Sequence, residues 1–186
     1  MDIQSVWQRI ESWLKQHAPD ILKTLNDGAT NEQIRGLETQ LGLSLPDDLK
    51  QSLAVHNGQR PDFYPRTLIE QWELLSTEQT LEEWIFLKEF YDAGEFAENE
   101  VTADEPLART WWHPSWLPIT DNHNGDHHCL DLTPGPTYGN ILIFWHDYER
   151  RKIEGISFSA WLEKFANDLE DNLYEVSALG NLQEKT

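Results

Sequence analysis

The chain is poor in cysteine, in basic residues and in long apolar runs. Each shortage excludes something. A single thiol, Cys129, can form no intramolecular disulfide and cannot build a cysteine-rich zinc framework, as expected in a reducing compartment. No stretch approaches the roughly 20 apolar residues needed to cross a bilayer. The beginning lacks the basic-then-apolar layout of a secretory leader, since Arg9, Glu11, Lys15 and Asp20 interrupt it, so a cytoplasmic location is expected. Fourteen lysines and arginines against thirty-three aspartates and glutamates leave a net charge of −19. Such a field repels phosphate polymers and anionic membranes, so neither nucleic acid nor membrane is an expected partner. There is no phosphate-cradling glycine loop, no Gly-x-Ser-x-Gly elbow and no His-Glu-x-x-His pair.

What is present is aromatic and acidic. Nine tryptophans and a hydrophobic content of 39% in 186 residues are enough for one well-packed core, so a single domain over residues 1–186 is expected. The charge is uneven: between Glu70 and Glu105 twelve carboxylates face Lys88 alone. That segment reads either as a solvated helix and loop or as a surface that attracts a basic partner.

Hydrophobic spacing predicts a first helix from about Ile3 to His17, with Val6, Trp7, Ile10, Trp13 and Leu14 as its buried stripe and Pro19 closing it. Thr30 and Gln33 form a capping box for a second helix that ends at Gly42. Pro46 belongs in the first turn of a third, which His56-Asn57-Gly58 terminates. Trp72, Leu74 and Leu75 make a short buried piece. Ser76 or Thr77 caps an acidic helix whose apolar face holds Leu81, Trp84, Ile85, Leu87, Phe90 and Tyr91, and Asn99 to Arg109 reads as loop. The period then changes: "WLPIT", "HCLDL", "NILIFWH" and "RKIEGI" are strand-like, and a last helix capped at Ser157 or Ser159 buries Trp161, Leu162, Phe165, Leu169 and Leu173. This order predicts an α+β fold, a mixed, largely antiparallel sheet packed against N-terminal, central and C-terminal helices.

The densest chemistry lies in "ITDNHNGDHHCLDL", residues 119–132. Asn124-Gly125 between two strand-like runs signals a hairpin. An extended 127–132 would place His127, Cys129 and Asp131 on one face, three ligands of plausible chemistry for zinc, but a closed site needs a fourth. The hairpin reading is preferred, and no metal or other cofactor is expected. Nor is Cys129 an expected nucleophile, because neighbouring carboxylates suppress its thiolate. His113, between Trp112 and Pro114, is read as packing, and Trp111, Trp112 and Trp116 as core. No catalytic residue is assigned.

Taken in order, "GATNEQIRGLETQLGLSLPDDLKQSLAVHNGQ", "WELLSTEQTLEEW" and "WLPITDNHNGDHHCLDLTPGPTYGNILIFWHDYERRKIEGISFSAWLEKF" resemble the SUKH superfamily, in particular its branch similar to fungal cell-wall assembly regulators. The resemblance covers about residues 5–175. In it the Gly125-Asp126 and Leu130-Asp131 pairs match the family's shared sheet pattern, whereas His127 and His128 fall where the family varies. It implies an α+β domain without an established catalytic centre. Bacterial members often act as immunity proteins against polymorphic toxins, many of them nucleases, and fungal relatives serve as adapters that usually carry long disordered extensions. The compactness of this chain favours an immunity protein that neutralises a basic toxin domain by contact. An adapter or regulatory domain is the alternative, and a metal-dependent enzyme the third reading. The expected contact residues are Asp121, His123, Asn124 and Asp126 in the turn, with Asp62, Tyr64, Asp147 and Tyr148 from loops at the same sheet end.

Overall fold

The computed structural model describes residues 2–60 and 67–185. Helix α1 (Ile3–His17) buries Ile3, Val6, Trp7, Ile10 and Leu14 along one stripe, as the spacing predicts, and Asp2 caps its first turn. Pro19 ends it and opens a single helical turn, α2 (Pro19–Leu22). In α3 (Asn31–Leu41) both halves of the Thr30/Gln33 capping box form, and Gly42 closes the helix at φ 66°. Helix α4 (Asp47–Val55) starts one residue later than expected: Pro46 is the N-cap, at ψ 150°, instead of the first helical residue. The buried indole N–H of Trp7 donates to the Ser52 hydroxyl at 2.9 Å, joining α1 to α4.

After strand β1 (Glu73–Leu74), Ser76 and Gln79 make a second capping box for α5 (Thr77–Ala93), and Gly94 at φ 74° ends it. Gly58 packs against the backbone of Leu75 and Ser76. A Cβ there would lie 2.3 Å from the backbone nitrogen of Ser76, and its φ is 67°. The buried stripe of α5 is narrower than the sequence suggests, with Thr77, Thr80, Trp84 and Leu87 inside. Ile85 and Tyr91, expected on the apolar face, are 44% and 43% exposed, because the stripe runs at three- and four-residue steps from Thr77 and leaves them on its flank.

The remaining strands are β2 (Thr102–Ala103), β3 (Trp116–Pro118), β4 (Thr120–Asp121), β5 (His127–Asp131), β6 (Ile141–Phe144) and β7 (Arg150–Gly155). The main sheet has the order β2-β7-β6-β5-β3 and is antiparallel except for the edge pair β2–β7, which is parallel. Strand β4 leaves this sheet to pair with β1, Glu73 opposite Asp121. So the connection from Asn99 to Arg109, expected as loop, contributes an edge strand of two residues, too short for any periodicity to announce it. Helix α6 (Phe158–Glu170), capped by Ser157, buries Trp161, Leu162, Phe165 and Leu169. The helix does not finish the chain: Asn172 turns the backbone at φ 61°, and β8 (Tyr174–Val176) and β9 (Leu182–Glu184) form an antiparallel ribbon. Leu173, expected on the buried side of α6, falls beyond that turn and is 49% exposed.

Trp111, Trp112 and Trp116 are all buried, as expected. The indole nitrogens of Trp112 and Trp116 have no acceptor among the described residues. Each orphaned donor costs about 1–3 kcal/mol, which ring burial of about 2 kcal/mol or more offsets.

Candidate functional site

Within residues 119–132 the chain makes a turn held by its own side chains. Asn122 Oδ1 accepts the backbone N–H groups of Asn124 (2.9 Å) and Asp126 (3.3 Å), and Asp121 Oδ1 accepts that of His123 (2.9 Å). Residues 122–126 therefore form a wider loop than a two-residue hairpin. The left-handed positions are His123 (φ 61°) and Gly125 (φ 87°), with Asn124 between them. Asx-type bonds of this kind replace the backbone ladder that a tight turn would use.

Carboxylates and imidazoles converge around this loop from four elements. His123 Nε2 lies 3.1 Å from Glu73 of β1, and its Nδ1 lies 3.2 Å from Asp121 of β4. His127 is 1% exposed, bonds the Thr120 carbonyl through Nδ1 at 2.9 Å and faces Glu83 of α5 across 3.8 Å. Burial pushes the pKa of Glu83 up, reinforced by Asp121 and Glu82, and pushes that of His127 down. Burial also opposes ionisation of Asp126, but three hydrogen bonds outweigh it and hold that carboxyl below its ordinary value. They come from the backbone N–H (2.9 Å) and Nδ1 (2.8 Å) of His146 and from the Asn122 amide (2.7 Å).

The structure brings Asp147 to the same place, since ligand atoms of Asp126, His146 and Asp147 lie within 4.8 Å of one another. They are the only such trio among the described residues. Both oxygens of Asp126 are already occupied, which leaves two exposed groups and no cage for a cation. His127, Cys129 and Asp131 do not converge. All of β5 is buried, His127 is bonded to Thr120, and Asp131 accepts the Thr133 N–H at 2.8 Å. Cys129 is fully enclosed, and burial drives its thiol pKa far up, so no thiolate is available. His113 is half-buried, accepts the Ser115 N–H through Nδ1 at 3.1 Å and is held neutral by burial, a packing role as expected.

Tyr148, 52% exposed, stands beside this cluster in a groove of about 590 Å³. The groove joins two parts of the chain that the sequence treats separately: the acidic segment, through Phe96, Glu98 and Glu100, and the β6–β7 turn, through Asp147, Tyr148 and Glu149. Phe96 stacks on Trp111 at 4.3 Å, and the Trp111 indole donates to the His146 carbonyl at 2.8 Å. Arg151 also lines the groove, but it is fully buried and its guanidinium is spent on carbonyls: Nε and Nη2 on Trp111 (2.9 and 2.8 Å), Nη1 on Tyr148 (2.6 Å). Burial lowers its pKa to about 10, still high enough to keep it charged. The surface outside is left to the carboxylates. Asp62 and Tyr64, expected in the same patch, lie outside the described residues. Glu73, Glu83, Phe96 and His146 escape a reading of the sequence because they are 15 to 50 residues from their partners His123, His127, Trp111 and Asp126, respectively, and no local pattern marks them.

Residues 28–164 match the SMI1 / KNR4 family (SUKH-1). The chain belongs to this family. Among curated proteins it is similar to the glucan synthesis regulatory protein of Neurospora crassa, 26% identical over 94% of this chain and 40% of that protein. The cell wall biosynthesis/cell cycle regulator smi1 of Schizosaccharomyces pombe is 26% identical over 94% of this chain and 37% of that protein. The cell wall assembly regulator SMI1 of Saccharomyces cerevisiae is 25% identical, with 88% of this chain and 40% of that protein covered. The chain thus spans less than half the length of these relatives, which are regulators by name. No helix among the described residues is long and apolar enough to cross a membrane.

Proposed function

We propose that this SMI1 / KNR4 domain is a non-catalytic, protein-binding regulatory module that holds a basic segment of a partner along the edge built from the 122–126 loop, the β6–β7 turn and residues 96–101. The observation that carries the reading is the groove itself. Its aromatic wall of Phe96, Trp111 and Tyr148 is rimmed by Glu98, Glu100, Asp147 and Glu149, and its one cation is already bonded to carbonyls. Aromatic anchors surrounded by charge of one sign suit a partner that brings the other sign. The absence of catalysis is supported by the buried, protonated Cys129 and by the neutral, inward-facing His127. The names of the relatives support an adapter in cell-wall regulation over an immunity protein, for which the bulk charge of −19 remains the support.

The test places a photo-crosslinking amino acid at Tyr148, with Gln8 on α1 as the control position, and identifies what is captured in cells. Labelling of one partner from position 148 only, and loss of about tenfold in its affinity with a flatter salt dependence in Glu98→Lys/Glu100→Lys, is the expected result. Unchanged affinity in the charge-reversed protein rejects this edge as the interface. Capture of a toxin, with survival of a host that co-expresses it, replaces the adapter reading by immunity.

A further inference from the structure

A second cavity, of about 290 Å³, lies between the sheet, α6 and the β8–β9 ribbon, and shares no residue with the acidic groove. Its wall is a run of rings. Trp72 sits 5.4 Å from Trp145 and 4.6 Å from His128, which is 5.3 Å from Trp161. Its rim is acidic: Glu70, Glu154 and Glu184 contribute carboxylates, and the one cation there, Lys164, is paired with Asp168. Glu154 has Lys152 at 2.9 Å, but among the described residues neither Glu70 nor Glu184 forms an ion pair.

Two further observations show that this is more than a hollow between elements. Glu70 is held in the left-handed region at φ 53°, a conformation that favours glycine, between the Ile69–Trp72 bridge and the Thr67 hydroxyl, which donates to its carbonyl. Its carboxylate accepts a hydrogen bond from the Tyr174 hydroxyl at 3.3 Å; burial first and the charge of Glu184 second push its pKa up, against the smaller opposing effects of that bond and of Lys164. The strained backbone thus presents an acid in a place already rich in acids. His128, 7% exposed, bonds the Thr120 hydroxyl through Nδ1 at 3.0 Å, and its Nε2 has no protein partner among the described residues. Burial holds this ring neutral, with a pKa of about 3, so the imidazole is no competing cation, and in the tautomer protonated at Nδ1 its Nε2 offers a lone pair.

We propose that this cavity binds an alkylammonium group, its charge met by Glu70 and Glu184, its N–H by His128 Nε2, and its methylenes by the faces of Trp72, Trp145 and Trp161. Indole faces attract ammonium groups through the ring quadrupole and pack well against an aliphatic stem. The volume is at the lower end for ligand sites and suits one such group. The group can come from a free amine or from a lysine side chain of a partner.

The experiment titrates the whole chain with pentane-1,5-diamine, with N-acetyl-lysine methylamide and with neutral pentan-1-ol, at constant ionic strength. Quenching of tryptophan fluorescence and the heat of binding are the readouts. Saturable binding of either amine and none of the alcohol is the expected result; the diamine alone identifies a free amine, the lysine derivative alone a partner's side chain. Glu70→Gln, which keeps the shape and removes the charge, is expected to bind about tenfold more weakly. Glu70→Gly relieves the backbone, so it is expected to melt no lower than the parent and yet to lose binding, which separates loss of the ligand site from loss of the fold. No saturable binding of either amine at millimolar concentration, equal binding of the alcohol, or unchanged affinity in Glu70→Gln overturns the proposal.

Discussion

Asp126 grips His146 twice with the same oxygen, accepting its backbone N–H at 2.9 Å and its ring Nδ1 at 2.8 Å. One carboxylate thereby fixes the 122–126 loop to the β6–β7 turn, the two pieces that frame the proposed interface. Asp126→Asn keeps the size but loses the negative charge on which these bonds depend. It is expected to lower stability by about 1–3 kcal/mol in urea unfolding. The pH dependence has a definite sign. The folded-state pKa lies below the unfolded value of about 3.9, so the contribution is full above that value and is lost as pH falls through the folded pKa; the variant should lose stability less steeply there.

His127 and His128 act at higher pH. Unfolded imidazoles take up a proton near pH 6.5, whereas the folded His128 ring does so only near 3 and burial also lowers the value of His127. Their contribution is full above pH 6.5, and on acidification each is expected to cost about 1.4 kcal/mol per pH unit until its folded pKa is reached. In NMR spectra the His128 ring should show no titration between pH 7 and about 4. An inflection near 6.5 would show the ring to be solvated.

Two glycines give opposite expectations for the same substitution. Gly58→Ala drives a Cβ to 2.3 Å from the Ser76 nitrogen at a positive φ and should cost more than about 2 kcal/mol. Gly36→Ala, inside α3 with nothing within 4 Å of the new atom, should gain about 0.4–1 kcal/mol. Melting temperatures of the pair check both.

Arg151→Lys keeps the charge but cannot reach the Trp111 carbonyl with two nitrogens and the Tyr148 carbonyl with a third. A loss of about 2–4 kcal/mol is expected, together with faster amide exchange in the β6–β7 turn.

Where sequence and structure agree, the residues involved signal locally. Thr30 and Gln33 are three apart, Ser76 stands directly before its helix and Gly42 directly after its own, and the strands of the late sheet carry their own apolar runs. Where they disagree, the deciding partner is remote. Strand β2 exists because Thr102 meets Arg150 across the sheet edge, and nothing in its two residues says so. Leu173 keeps the helical spacing of α6, but Asn172 has already turned the chain. The loop at 122–126 is visible from Asp121, Asn122 and Gly125, while its acidic surroundings are assembled from β1, α5 and the β6–β7 turn by folding alone. The same holds for the cavity: Trp72, Trp145 and Trp161 are ordinary core candidates in sequence, and only their common wall makes them a candidate site.

The β8–β9 ribbon is fastened to the protein by few side chains. Tyr174 and Leu182 are buried at 5% and 1%, whereas Glu175, Val176, Gln183 and Glu184 are exposed. Two strands alone are marginal in water, so this piece detaches at a lower free energy than the five-stranded sheet melts. Because Tyr174 and Glu184 also form one wall of the ring-lined cavity, detachment opens that cavity. Occupancy and ribbon are then thermodynamically linked: a guest that needs the wall in place slows amide exchange in the last dozen residues, and whatever holds the C-terminal ribbon down raises the affinity for the guest by the same factor.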